Sequence, residues 1–317
     1  FLSYLPEDLV DYMKYITDLN RKRNEEILAQ AKELNTLLLE HNITPIFIKG
    51  TGNLLEGLYE DIGERMVGDI DFICSPEDYP KAVQFLTDNG YNPRPKQNKV
   101  KLWSTLFLNS KHRHFPRLIK KNKISGIEIH HSLIKKKYRH EFNYNFVKDS
   151  IQLVENFSVM SFENQLSLSI IAYQINDDGF EYKSITIRNA YDVYLLSKKT
   201  NAKNAFLEFN TLQYPLYCFL ASCYEVFNKP SSLQYKSSKK TERYLVLFYR
   251  YINDRKLAEL KAKKIISRIK RKNNFIYRFY LIYNSFFHKE NRTWIYKRIT
   301  DKNWRKEKLI QLGLKKP

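Results

Sequence analysis

Cysteine is scarce: Cys74, Cys218 and Cys223 are the only three in 317 residues. They are scattered without metal-ligand spacing. An odd count with no framework excludes a disulfide-stapled secreted domain and points to a reducing compartment. Long apolar runs are missing too; the longest, such as Phe279–Tyr283, are far too short to cross a bilayer. No charged-then-apolar leader pattern opens the chain, so the expectation is a cytoplasmic location with no transmembrane segment. Acids are nearly absent from one end. Residues 1–230 carry 29 Lys+Arg and 28 Asp+Glu, whereas 231–317 carry 25 and 6. Almost the whole formal charge of +20 therefore lies in the last 87 residues. Such asymmetry fits a polyanionic partner, namely nucleic acid, anionic lipid or a phosphorylated polymer; the plain alternative is a solvated helical face. Glycine is rare as well, with nine in the chain. Five of them, Gly50, Gly52, Gly57, Gly63 and Gly68, fall in one short stretch.

What is present suits a folded protein. Apolar residues make up 43% and aromatics 15%, which allows a sizeable core and argues against disorder. The length corresponds to about two domains. Pro6-Glu7-Asp8 predicts a helix start, and Ile27, Leu28, Ala31, Leu34 and Leu38 predict a helix over about 19–41. "PIFIKG" reads as a short buried strand, 51–59 as a helix, 60–68 as a loop and "DIDFIC" as a second strand. Ser75-Pro76-Glu77-Asp78 opens a helix that closes at Asn89-Gly90. Residues 91–123 read as strands and loops, and "ISGIEIHHSL" as a third strand. From about 150 the pattern turns helical, with helices in "SFENQLSLSIIAYQI" and in 184–199 and a break at 228–232. The expected layout is an α/β domain over 1–150, built on a short mixed sheet flanked by helices, and a mainly α-helical, strongly basic domain over 151–317.

Three features carry chemistry. Asp69 and Asp71 stand two apart on a strand, so they share a face while Ile70 and Phe72 share the other. Paired carboxylates form a compact oxygen set for a divalent cation; capping and salt bridging at a strand end is the alternative. Gly50-Thr51-Gly52 follows a strand and precedes a helix, where backbone N–H groups, the Thr51 hydroxyl and the Lys49 ammonium can face an anion; an ordinary turn is the alternative. Glu128 is the single acid among 14 Lys+Arg between residues 89 and 140. It reads equally as a third metal ligand or as a counter-ion. His130 shares its face.

Together these residues resemble the polymerase-β-like nucleotidyltransferase superfamily: a strand ending in Gly, a short helix, h-D-h-D-h on the next strand and an acid on a later one. "FIKG…LYEDIGERMVGDIDFICSPEDYPKAVQFLTDNGY" and "HFPRLIKKNKISGIEIHHSL" are similar to a bacterial nucleotidyltransferase family of pattern LKG…DiDllv…ElH. The likeness covers about 43–135 and extends faintly over 160–198 through "IRNAYDVYLL". Two positions depart from the pattern: Gly50-Thr51 replaces Gly-Ser or Gly-Gly, and His131 replaces an aromatic. The resemblance implies two Mg²⁺ ions, with Mn²⁺ as an alternative, on Asp69, Asp71 and Glu128. It also implies an NTP held by Lys49, Gly50, Thr51, Arg65 and Lys183, with Arg188 as a further cation. His114 and His130 would stand behind the ligands or touch the acceptor, and Asp192 would be structural. The implied reaction transfers NMP from an NTP to a hydroxyl, with pyrophosphate released. The acceptor stays open between RNA or tRNA, protein, and a glycan or peptide intermediate. The alternative is a catalytically silent protein of this fold that binds nucleic acid or anionic membrane through residues 231–317. In that segment Phe275, Tyr277, Phe279, Tyr280, Tyr283 and Phe287 can stack on bases, sit at a membrane surface or pack in a helical core.

Overall fold

The computed structural model describes residues 4–94, 113–285 and 289–311. Contacts divide the chain into two units, Phe1–Tyr251 and Ile252–Pro317.

The first unit opens with α1, Glu7–Glu40, one helix of 34 residues where the sequence suggested two pieces. No proline or glycine interrupts it, so the first turn at Pro6 runs on into the apolar stretch. Its second half buries Ile27, Ala31, Leu34 and Leu38 at helical spacing. Strand β1 is only Ile46–Phe47, and α2, Lys49–Leu55, starts at once after it. Gly50 and Gly52 thus lie inside the first turns of a helix, not in a loop before one. A Cβ on Gly52 would sit 2.8 Å from the Phe47 carbonyl oxygen, so this glycine lets α2 pack directly onto β1. A 3₁₀ turn, Ile62–Glu64, leads to β2, Asp69–Ile73. Then come α3 (Asp78–Asp88), β3 (Asn92–Pro93), β4 (Leu118–Ile119) and β5 (Gly126–His130).

The chain does not turn helical at 150. After α4, Tyr144–Lys148, strands β6 (Ile151–Val154) and β7 (Phe157–Met160) form a hairpin, and β7 pairs parallel with β1. Its two-residue turn, Glu155-Asn156, has Glu155 at φ 54° and lacks the Asn-Gly or Asp-Gly pair that marks a hairpin in sequence. Helices follow: α5 (Phe162–Gln174), α6 (Gly179–Tyr182), α7 (Ile187–Ser197), α8 (Gln213–Val226) and α9 (Lys239–Asn253). Ser161 caps α5 by accepting from Asn164 N at 3.3 Å.

The result is a mixed seven-stranded sheet in the order β3-β4-β5-β2-β1-β7-β6, flanked by helices. The β2–β5 pair is parallel and sets Ile70 opposite Ile127, Asp71 opposite Glu128 and Phe72 opposite Ile129. Ile70, Phe72, Ile127 and Ile129 are fully buried. At roughly 1.5–3 kcal/mol each, their burial favours this register.

The second unit contains α10 (Arg255–Ser285), α11 (Lys289–Thr300) and α12 (Lys302–Gln311). Phe275, Tyr277, Phe279 and Tyr283 are exposed, so packing in a helical core does not account for them; Phe287 lies outside the described residues. Among the described residues no helix is long and apolar enough to cross a membrane.

Candidate functional site

Strand alternation puts Asp69, Asp71, Glu128 and His130 on one face of the sheet. The carboxylate oxygens of Asp71 and Glu128 and a ring nitrogen of His130 lie within 4.8 Å of one another. His130 Nε2 is 2.9 Å from Asp71 Oδ1, and its Nδ1 is buried without a partner. His114 comes from the segment bridged to His130; its Nε2 is 3.6 Å from Glu128 Oε2. Since His114 Nδ1 lies 2.8 Å from the Phe115 carbonyl oxygen, that nitrogen is the donor. Nε2 of the neutral ring then presents a bare lone pair to a carboxylate.

Lys49 stands in the middle. Its Nζ is 2.5 Å from Asp71 Oδ1, 3.2 Å from His130 Nε2 and 3.8 Å from Glu128 Oε2. Its backbone is left-handed, φ 56°, a conformation that costs a non-glycine residue energy and that clusters at functional positions. Two basic side chains, Lys49 and Arg117, are within ion-pair distance of the three carboxylates; Arg117 pairs with Asp69. The Arg117 side chain lies across Gly126, where any Cβ would collide with Arg117 Nε. Gly126 is therefore the gap through which Arg117 reaches Asp69.

The electrostatics follow from this arrangement. Burial works against the Asp71 charge, but Lys49 and His130 more than offset it and hold the carboxyl well below the usual carboxylate range. Burial likewise opposes the Glu128 charge and is outweighed by His130, Lys49 and His114, so this carboxyl is also lowered. Asp69 behaves differently. Burial and the neighbouring Glu128 and Asp71 charges outweigh Arg117 and push it up to about 6. Burial lowers His114, which stays neutral near pH ~7.

The other expected nucleotide ligands are engaged elsewhere. The Thr51 hydroxyl is fully buried, donates to the Asp69 carbonyl oxygen at 2.9 Å and accepts from Asp71 N at 3.3 Å. It ties α2 to the acidic strand. Arg65 grips Asp192 with Nε and Nη2 at 3.0 and 3.1 Å, and Tyr59 donates to the same carboxylate at 2.8 Å. Gly50 is buried against Val67. Lys183 donates to the Phe180 carbonyl oxygen at 2.7 Å, and its ammonium lies 4.0 Å from the centre of the Phe180 ring. Arg188 is exposed. Arg117 was not among the residues singled out from the sequence; the signal available was a glycine two positions before Glu128 on a strand, which marks a close approach.

The donor set fits a divalent cation. The carboxylate oxygens of Asp71 and Glu128 and one imidazole nitrogen, from His130, converge beside a positive charge, that of Lys49.

The chain is similar to two solved structures. One is JHP933 from Helicobacter pylori, at 17% identity and a TM-score of 0.33, with 80% of this chain and 96% of that one covered. The other is a candidate nucleotidyltransferase from H. pylori, at 17% identity and a TM-score of 0.31, with 77% and 96% covered. No curated protein matches. The sequence profile of a family described as "Uncharacterised nucleotidyltransferase" matches residues 1–222, and the chain belongs to that nucleotidyltransferase family.

Proposed function

We propose that this protein moves NMP from an NTP to a hydroxyl of an acceptor, with pyrophosphate released, in a reaction that depends on a divalent cation. The observation that carries the reading is the β2–β5 register, which sets Asp71 beside Glu128 with Asp69 on the same face. In this reading residues 1–150 supply the catalytic side chains, and 151–317, which first add the β6–β7 hairpin to the sheet, carry the helical, basic part. Asp69, Asp71 and Glu128 would hold the metal, Mg²⁺ first for its preference for oxygen, with Mn²⁺ tolerated by the imidazoles. When held by these residues, such a cation would supply charge neutralisation at the phosphates and a lower pKa for the acceptor hydroxyl.

The acceptor oxygen bonds to the α-phosphorus, and the bond from that phosphorus to the oxygen bridging to the β-phosphate breaks. Pyrophosphate departs with the electron pair. The hydroxyl proton is released to water as that bond forms, because in this reading all three carboxylates are held on the cation. Lys49, once off the acids, is a mobile point charge for the triphosphate. Arg65 serves by holding Asp192, and with it the loop before β2, rather than by touching phosphate.

The test is label transfer from each α-labelled NTP, with Mg²⁺ or Mn²⁺, to cellular RNA, protein and small-molecule fractions. Asp71→Asn and Glu128→Gln are expected to abolish it. Transfer by neither wild type nor variant, with every NTP, would overturn the reading. A second reading has one observation in its favour: Lys49 and Arg117 already pair with the acids, as in a silent protein of this fold. In that case divalent ions would leave the melting temperature of the wild-type protein unchanged.

A further inference from the structure

The basic excess has a specific geometry within the second unit. Helix α10 carries ten Lys+Arg and one acid, Glu259. Positions three and four apart stack on one side of a helix. Lys264, Arg268, Arg271, Phe275, Arg278 and Phe279 follow those steps and fall within an arc of about 100° over about 22 Å of axis. Phe275 is 71% exposed and Phe279 66% exposed, more than any other aromatic described in α10. Lys264, Arg271 and Arg278 are exposed beside them. A separate stripe, Ile265, Ile269 and Ile276, lies about 100° away in the same wheel and includes the buried Ile265. Phe275 lies about 80–120° from each residue of that stripe, and Phe279, about 40° from Ile265, stays 66% exposed all the same, so packing uses neither ring.

The mixing decides what fits. A helix that lies in a membrane surface keeps its apolar residues on one face and its cations on the other. Here rings and cations share one row, so seating Phe275 and Phe279 in lipid would drag Arg271 and Arg278 with them. An acidic protein partner needs the cations but gives two exposed rings nothing to stack on. A single-stranded polynucleotide uses both: phosphates pair with the cations, and unstacked bases lie on the rings. A duplex keeps its bases inside and has no use for the rings.

We infer that this row on α10 is a docking surface for single-stranded nucleic acid. The inference goes beyond nucleotidyl transfer and does not depend on it, because binding is read without nucleotide and in the presence of EDTA. Anisotropy titrations of the full chain would use labelled single strands of RNA and of DNA, a duplex of the same sequence, and anionic phosphatidylserine vesicles. The expected result is tighter binding of the single strands than of the duplex. The double variant Phe275→Ala/Phe279→Ala should weaken strand binding by on the order of tenfold or more, with circular dichroism unchanged because both rings are exposed. Replacing Lys264, Arg271 and Arg278 by Ser should flatten the slope of log affinity against log salt by about 2, at about 0.7 for each phosphate that is no longer neutralised. Equal binding by wild type and the Phe variant would overturn the inference. So would equal affinity for strand and duplex, or a Phe-dependent preference for vesicles.

Discussion

Lys49→Met tests the centre of the site. The change keeps an unbranched chain of nearly the same length and the left-handed backbone, and it removes the ammonium with its charge and its hydrogen bond to Asp71. Asp71 and Glu128 face each other across a parallel pair, with side chains 11% and 18% exposed. Unit charges about 4 Å apart interact with about 4 kcal/mol at an effective dielectric constant of 20. Removing one partner of a buried ion pair costs about 3–5 kcal/mol. The lysine side chain retains 30% exposure, and water screens part of that loss, so about 2–3 kcal/mol is expected. For a unit of this size that is a drop in melting temperature on the order of 5–10 °C in EDTA. A divalent cation should restore the difference. At about 100 times its Kd a ligand adds about 2.7 kcal/mol, which returns the variant to wild-type stability. In the wild type the cation must first displace the ammonium, so its stabilising shift should be smaller and its apparent Kd higher by about 30- to 160-fold. The assay is differential scanning fluorimetry with Mg²⁺ and Mn²⁺ titrations, backed by calorimetric Kd values. Two outcomes would refute the reasoning: a variant as stable as wild type in EDTA, or equal metal-induced shifts in both proteins.

Three further expectations concern single side chains. Burial pushes the Glu56 carboxyl up to about 7 from an ordinary 4.5. Between those values the folded chain holds a proton that the unfolded chain has released, so stability falls as pH rises through that window. Glu56→Gln should therefore stabilise by about 1–2 kcal/mol at pH ~8, after allowance for partial exposure, and by nothing near pH ~4, as read from urea melts at both values. Gly126→Ala should displace Arg117 from Asp69 and cost about 1–3 kcal/mol; in the background of Arg117→Ala the same change should cost far less, which a double-mutant cycle measures. Arg65→Lys cannot keep the forked grip on Asp192 and should lose about 2–3 kcal/mol of stability. If it raises the KM for NTP with stability intact, Arg65 is a phosphate ligand instead.

Legibility varied along the chain for physical reasons. Caps and stops are local, so Ser161 at the start of α5 and the end of α3 before Asn89-Gly90 could be read directly. The β6–β7 hairpin could not, because its Glu155-Asn156 turn carries no glycine and its pairing with β1 spans more than 100 residues. The glycines near residue 50 were visible, but their use was not. Gly52 serves helix-on-strand packing, and whether a missing Cβ faces a ligand or a neighbouring backbone depends on what packs there. The same holds for Arg65, whose partner Asp192 is 127 residues away.

From the sequence alone came the acids themselves, their common face through the two-residue period of a strand, and the concentration of positive charge toward the C-terminal end. Those properties depend on neighbours one to four positions away, or on no neighbours at all. Only the tertiary structure placed Glu128 beside Asp71, lodged Lys49 between them and threaded Arg117 over Gly126 to Asp69. Register and long-range ion pairs are decided by how the whole sheet packs, and no local period encodes them.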